Sequence, residues 1–500
     1  MALSLPQIPS NLRKFGFYGS FSTGIPAYSS AQRLLLIGPA LDSGTATVGV
    51  PTRVESDPRV QFGNGSILAE MVTVSRLQRP FNEIWALPVN AAGAAAACTI
   101  TVTAVPPAGT YAFWLFGRAR RCEITVASSG ETVTTVAAKI VAAANRQYTF
   151  AGAPHPLAQP FTADNVAGVV TLTMLHAGAM TNGRKWVHTR AGNEVSVLGD
   201  FVTISHTAVA GAGTPDVAAA LSTIGDGHFQ TVVTAYDDDT TAAAIDAWMA
   251  EQWSAVTMHY GFQVLARTGS YGTLAAAGDA MNARTRVLAA MRETPTPTWL
   301  IATALGAELH DRFNLGRPVE EAQIMARALA GITLKTVESS MTPGEAFTPA
   351  EVNNLYFDGV TPVKPEFDGS VTIGGRVITT YQRSALTGLE DVSWLDISDV
   401  MIPAYAMYWM RHYASFKHAG TSLIADTAPA REGQTRPMDY KATCIMAYGR
   451  LCAEGICADL AVYSDELIVE MSSDRKRINA QHPVRIAAPL LIMANDIRVR

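Results

Sequence analysis

Charge is scarce in this chain. Asp, Glu, Lys and Arg make up 16% of its 500 residues, and apolar side chains 48%; an ordinary soluble domain is about one quarter charged. That balance excludes a disordered, self-solvating chain. It also implies that much of the surface is covered by something other than water, as in a subunit of an assembly. The charge present has little sign: 38 basic against 43 acidic residues leave −5, so the basic footprint of a nucleic-acid-binding protein is missing. Cysteine is equally sparse. Cys98, Cys122, Cys444, Cys452 and Cys457 are odd in number and contain no CxxC. They support neither a disulfide framework nor a zinc site, and buried free thiols are expected. No apolar run reaches the roughly 20 residues of a membrane span, and the first residues lack the basic-then-apolar order of a signal peptide. The expectation is a protein made in a reducing cytosol, with no membrane insertion. Catalytic signatures are missing too: the sequence holds no HExxH, GxSxG, P-loop or GxGxxG.

What is present is a pattern of alternating elements. The length suggests two to four domains. Residues 1–30 are rich in Gly and Pro, yet Phe15, Phe17 and Phe21 fall at odd positions, the period of a strand with one apolar face. Arg33–Gly38 reads as a buried strand, Ser66–Leu77 as a helix and Glu83–Pro88 as a second strand, opening a βαβ-type domain. From 91 to about 200 the runs become β-branched and aromatic, with one helical stretch at Glu131–Asn145, and a β-rich insertion is expected. The α/β pattern then resumes. Phe229–Ala235 and Phe262–Ala266 read as strands, a helix runs through Ile245, Trp248, Met249, Gln252 and Val256 to a stop at Gly261, and Thr298–Ala302 reads as a further strand. Gly374-Gly375 reads as a hairpin turn. Near the C-terminus a helix spans Pro437–Glu454, Leu467–Glu470 is a strand, and Met493, Ile497 and Val499 alternate with polar residues.

The most suggestive chemical cluster is Asp237-Asp-Asp239, with Asp226 and His228 nearby in sequence. Carboxylates at the C-terminal edge of a parallel strand can hold Mg²⁺ or orient a nucleotide. The same residues equally make an N-cap and an acidic first turn. An α/β enzyme, hydrolase or nucleotide-dependent, using the Asp226–Asp239 region is therefore the alternative function. The histidines are scattered singly, and Asp474–Arg477 is a small basic patch.

The order of segments resembles that of contractile phage tail sheath proteins. Arg33-Leu-Leu-Leu-Ile-Gly38 follows a Gly/Pro arm. Asn354-Leu-Tyr-Phe-Asp-Gly359 resembles the family's LLYDGI, Arg376-Val-Ile-Thr-Thr-Tyr-Gln382 its RxITTYQ, Asp391-Val-Ser-Trp-Leu-Asp396 its DxSYLD, and Asp474-Arg-Lys-Arg-Ile-Asn479 its DPNRVDV. The insertion, with Thr171-Leu-Thr-Met-Leu-His-Ala-Gly178, is similar to the Mu-like branch. Two places depart from the pattern: Asn314-Leu-Gly-Arg-Pro318, and Tyr408-Trp-Met-Arg-His412.

The resemblance implies a subtilisin-like α/β core domain without a catalytic triad, a β-rich outward-facing insertion, a small α+β C-terminal domain and extended terminal strand arms. The boundaries expected are 1–30 for the N-terminal arm, 31–90 and 200–435 for the core, 91–199 for the insertion, 436–488 for the C-terminal domain and 489–500 for the C-terminal arm. It implies a structural protein of the virion tail, assembled in the host cytoplasm, with no enzymatic activity or cofactor. Its partners would be further copies of itself in stacked hexameric rings, the tail tube protein, and baseplate and terminator proteins. Phe15, Phe17, Phe21, Met493, Ile497 and Val499 would pair between subunits. Arg475, Lys476, Arg477 and Arg485 would face the tube.

Overall fold

The computed structural model describes residues 32–115, 121–146, 149–150, 153–154, 159–183, 186–187, 197–339, 346–366 and 368–491. Phe15, Phe17, Phe21, Met493, Ile497 and Val499 lie outside them.

The centre is a mixed nine-stranded sheet. Six adjacent strands run parallel, in the order Thr361–Pro365, Arg286–Met291, Phe262–Thr268, Thr231–Thr234, Arg33–Pro39 and Glu83–Val89. Beyond Thr361–Pro365 lie the antiparallel Val371–Gly375 and then Leu329–Thr333, and beyond Glu83–Val89 the two-residue Thr52–Arg53. These parallel strands read as continuous apolar runs because both faces are covered. Along Arg286–Met291, Val287, Ala289 and Met291 enter the main core while Leu288 and Ala290 enter a second cluster with Leu265, Leu274 and Leu355. Helices Ile67–Gln78 and Thr298–Arg312 belong to the first layer; Tyr271–Asp279 and Pro349–Phe357 belong to the second.

Local capping sets where several helices begin. Ser66 Oγ accepts from Ala69 N at 3.1 Å, Asp238 Oδ1 accepts from Thr241 N at 2.8 Å, and Thr348 with Glu351 forms a reciprocal capping box. Each bond satisfies a backbone donor that helical geometry leaves free.

Three sequence-based expectations are corrected. Thr298–Ala302 is the first turn of the helix Thr298–Arg312, not a strand. All but one of that helix's residues are buried, so it has no polar stripe, and a short apolar run cannot by itself separate a buried helix from a buried strand. The helix after Asp238 ends at Gln252, well before Gly261, and Val256 is 90% exposed. Gly261 is small for another reason: a Cβ there would lie 2.5 Å from the Gln230 carbonyl oxygen. Gly374 and Gly375 end the Val371–Gly375 strand, and the turn of that hairpin lies between Pro365 and Val371.

Residues 97–209 build two larger sheets and one small pair, Thr149–Phe150 with Ala153–Pro154. Val202–Val209, Ala97–Val102, Val169–Met174 and Phe161–Val166 form a four-stranded antiparallel sheet, and Trp186–Val187, Gly109–Leu115 and Arg121–Val126 a three-stranded one. Together with helix Val133–Ala144 they enclose a separate core that includes Ile100, Phe113, Ile124, Ile140 and Leu172. This part leaves the central sheet from the C-terminal end of Glu83–Val89. It also touches the start of helix Ile67–Gln78, where Ile67 N donates to the buried His176 Nε2 at 3.2 Å.

The chain continues from the opposite end of the sheet. Thr380 N donates to Arg286 O at 2.9 Å, at the start of the Arg286–Met291 strand, and Arg376 forks onto Asp396 at 2.8 and 2.9 Å. Asp396 precedes the long helix Ile397–His418, which packs on helix Pro437–Ala453. Residues of this region, including Cys444, Tyr448, Tyr463 and Leu467, join the main core. Four of the five cysteines are buried and Cys452 is half-buried, all as free thiols. No helix among the described residues is long and apolar enough to cross a membrane.

Candidate functional site

The C-terminal region ends in a small two-stranded antiparallel sheet, Ile468–Met471 paired with Ile478–Gln481. Val469 and Met471 are half-buried, while Ile468 and Glu470 are exposed, the two-residue period of a strand lying on a helical layer. The turn between the strands is closed by Ser472 N to Arg477 O at 2.8 Å and by Asp474, whose carboxylate accepts from Ser472 Oγ and from Lys476 N. The Ser472 hydroxyl is the main cause that lowers the Asp474 carboxyl below its usual range. Arg475 takes the left-handed conformation at φ 55°. Arg475, Lys476 and Arg477 therefore stand together, exposed, at the tip of a hairpin.

Behind the hairpin the rings of Tyr448 and Tyr463 stack at 3.7 Å and 6°. They also hold the chain that leaves the second strand. Tyr463 Oη lies 2.7 Å from His482 Nδ1, Tyr448 Oη accepts from Arg485 N at 3.0 Å, and Ala487 N donates to Ile456 O at 3.0 Å. Arg485 is apart from the basic tip. Its guanidinium lies 3.7 Å from both Asp459 and Glu466.

The edges of the two sheets differ. At one margin of the nine-stranded sheet the Leu329–Thr333 strand slips register between Ala330 and Thr333, with Gly331 at φ 73°, and the other margin is only two residues long. Bulges and very short strands are ways of blunting an edge against further pairing. Among the described residues the hairpin strands pair only with each other, so the sheet carries two unpaired edges. An isolated two-stranded sheet is marginal, and a further strand stabilises it. Sequence reading placed the first strand and noted the basic patch at Asp474–Arg477, but missed the turn and the second strand. The signal available was a pair of short runs flanking a turn of Ser, Asp and basic residues.

The alternative cluster is not assembled. Asp226 and His228 precede the Thr231–Thr234 strand, and Asp237–Asp239 follow it. At about 3.3 Å per strand residue they sit at opposite ends of the sheet. At the far end, Asp238 caps helix Asp239–Gln252, and Arg267 donates to the Asp237 carbonyl and to Asp239 Oδ1 at 2.7 Å. Burial raises the Asp237 carboxyl, with Arg267 opposing. At the near end, His228 stacks on His259 at 4.7 Å and 10°, and its Nε2 lies 2.9 Å from Tyr260 O. Among the described residues no three His, Cys, Asp or Glu side chains are grouped to hold a metal ion.

Comparison with known proteins speaks to the whole chain rather than to one cluster. The "Mu-like prophage FluMu tail sheath protein" of Haemophilus influenzae is 24% identical over 514 residues, covering 100% of this chain and 99% of the other. The chain is thus similar to a Mu-like tail sheath protein along both sequences. No family model matches the chain. Among solved structures, the sheath tail protein of Desulfitobacterium hafniense aligns with a TM-score of 0.47 at 12% identity, over 95% of this chain and 98% of the other. That of Listeria innocua gives 0.46 at 10% identity, over 92% and 93%. The baseplate structure of the anti-feeding prophage gives 0.40 at 13% identity over the full length of both chains.

Proposed function

We propose that this chain is the structural subunit of a contractile tail sheath, in the virion tail and assembled in the host cytoplasm. It polymerises as stacked hexameric rings around a tail tube, bounded by baseplate and terminator proteins, and contracts to drive the tube through a target envelope. The likeness to a tail sheath protein along the entire chain carries this proposal. The hairpin at Ile468–Gln481 supplies its physical means, because strand addition needs an open edge. In this scheme residues 1–30 and 489–500 are arms that pair with other subunits. Residues 31–90 and 200–435 are a subtilisin-like core without a triad, 91–199 an outward insertion, and 436–488 an inward C-terminal domain. The origins of the insertion and the C-terminal region at opposite ends of the central strands favour this polarity.

Contraction in this account uses no fuel. The sequence has no nucleotide-binding motif, so the stored energy is a difference between two packings of the same subunits. Negative-stain microscopy of the purified chain should show hollow tubes. Mild denaturant should shorten and widen them without nucleotide or divalent ion. Compact particles, or an absolute need for ATP or metal, would favour an enzyme instead.

The basic hairpin tip is proposed to face the tube. Arg475, Lys476 and Arg477 are exposed, and each contact to a partner carboxylate is worth about 0–1 kcal/mol. That weakness suits a surface that must let the tube go. Reversing all three to Glu should abolish co-assembly with tube protein while tubes of sheath alone still form. Unchanged co-assembly in a pelleting assay would remove the tip from the interface.

A further inference from the structure

Both places where the described chain gives way to its terminal segments are tied down through a histidine, buried at His310 and half-buried at His482. At the N-terminal side, Gln32 precedes the first strand and is 4% exposed. Its backbone is hydrogen-bonded by the side chain of His310, which lies near the end of helix Thr298–Arg312 and is 1% exposed. His310 Nδ1 is 3.0 Å from Thr231 Oγ1 on the neighbouring strand. At the C-terminal side, His482 directly follows the Ile478–Gln481 strand and meets Tyr463 Oη. The residues just beyond it, Arg485 and Ala487, are held by Tyr448 and Ile456.

We propose that the two roots of the terminal segments are acid-labile latches, opened when His310 and His482 take up a proton. The cause is burial. An imidazolium would be stripped of water at His310 and of part of its water at the half-buried His482, and it regains that water only if the ring is exposed, which breaks its hold on Gln32 or on Tyr463. The groups facing His310 add to the effect at the first root. They are Thr231, Gln32 and His228; His228 in turn faces the Arg33 guanidinium and the ring of His259, which has Arg411 and Asp226 nearby. Cations outnumber Asp226 and Glu83, which pairs with Arg33 at 3.7 Å, once the imidazoles are charged. His482 is faced by Tyr463, whose hydroxyl also reaches Met410 Sδ at 3.5 Å.

The sign follows from the direction of the shifts. Burial lowers His310 from 6.5 to about 4, and it lowers His482 as well. A histidine depressed in the closed state favours closure above its ordinary value, and this preference is lost as pH falls below 6.5 towards the depressed value. For His310 this linkage makes opening ~20-fold easier at pH 5 than at pH 7.

Hydrogen exchange of the full chain, corrected for the intrinsic pH dependence of exchange, tests this. Between pH 7 and pH 5, protection at Leu34 and at Gln230, whose amide donates to Arg33 O, should fall ~20-fold. Protection at Arg485 and Ala487 should fall too, while Val264 and Leu288 in the central strands stay unchanged. His310→Gln, which keeps a donor and an acceptor but cannot titrate, should flatten the response at the first root only. His482→Gln should flatten it at the second only. If one variant fails to fold, the other still tests its own root. Wild-type pH dependence in a folded variant, or parallel loss at Val264 and Leu288, would overturn the proposal. The measurement needs no assembly. Release of subunit contacts at pH 5 would follow only if the terminal segments pair between subunits, so failure of that reading shows separately, as intact tubes over open roots.

Discussion

Removal of residues 1–25 should leave a folded, soluble chain that no longer forms tubes. The deletion stops short of Gln32, and Arg33–Pro39 is already secured on both sides, in register with Thr231–Thr234 and with Glu83–Val89. No part of the described core is therefore lost. What is lost is the alternating Phe15, Phe17 and Phe21 segment, which is proposed to pair as a strand with another subunit. Each missing strand removes a row of backbone hydrogen bonds and a set of apolar contacts at every junction. Because the arms link every subunit in the proposed mesh, the effect on polymerisation should be all or none rather than graded. Sedimentation velocity should give a monomer, and the unfolding midpoint should match the intact chain. Normal tubes from the shortened chain would rule out the arm as the linker.

The second large effect concerns stability. Glu308 lies in the helix Thr298–Arg312 with its side chain 2% exposed. It accepts from Arg79 Nε at 2.8 Å and from Gln78 Nε2 at 3.0 Å, and Arg79 also lies 3.4 Å from Asp311. Gln78 in turn reaches the Thr333 carbonyl and the Lys335 amide. One buried carboxylate thus joins two helices and the edge strand of the sheet. Arg79→Ala would leave that carboxylate buried with its cation gone, and removing one partner of a buried pair costs much more than the pair itself contributes. Since Arg79 is 42% exposed, the expected loss is near the low end, about 3 kcal/mol. Glu308→Leu combined with Arg79→Met should recover most of it, because no unpaired charge then remains. Both changes are read as shifts in the denaturant midpoint. A single Arg79→Ala variant as stable as the parent would show that water reaches Glu308.

The local elements were legible where their signals are local. The apolar face of Ile67, Met71 and Val74 placed a helix at Ser66–Leu77, observed at Ile67–Gln78, and Pro437 with Gly455 bracketed the helix observed at Pro437–Ala453. The short apolar runs at Arg33, Glu83 and Phe262 were strands. Segment order and motif likeness pointed to a tail sheath relative along the full chain. Hidden from the sequence was everything decided by what packs against what. Thr298–Ala302 looked like a strand because burial on all sides erases helical periodicity. The strand Arg286–Met291 went unread. Asp226 and Asp237 looked like neighbours because sequence proximity says nothing about the strand that carries them to opposite ends of a sheet. The open edges of the Ile468–Gln481 hairpin, and the meeting of His310 with Gln32, join residues through long-range packing. Side-chain period and capping are set within a few residues, so sequence alone determines them. Which edge stays unpaired and which histidine loses its water depend on surfaces brought together from distant parts of the chain, and only the tertiary structure decides those.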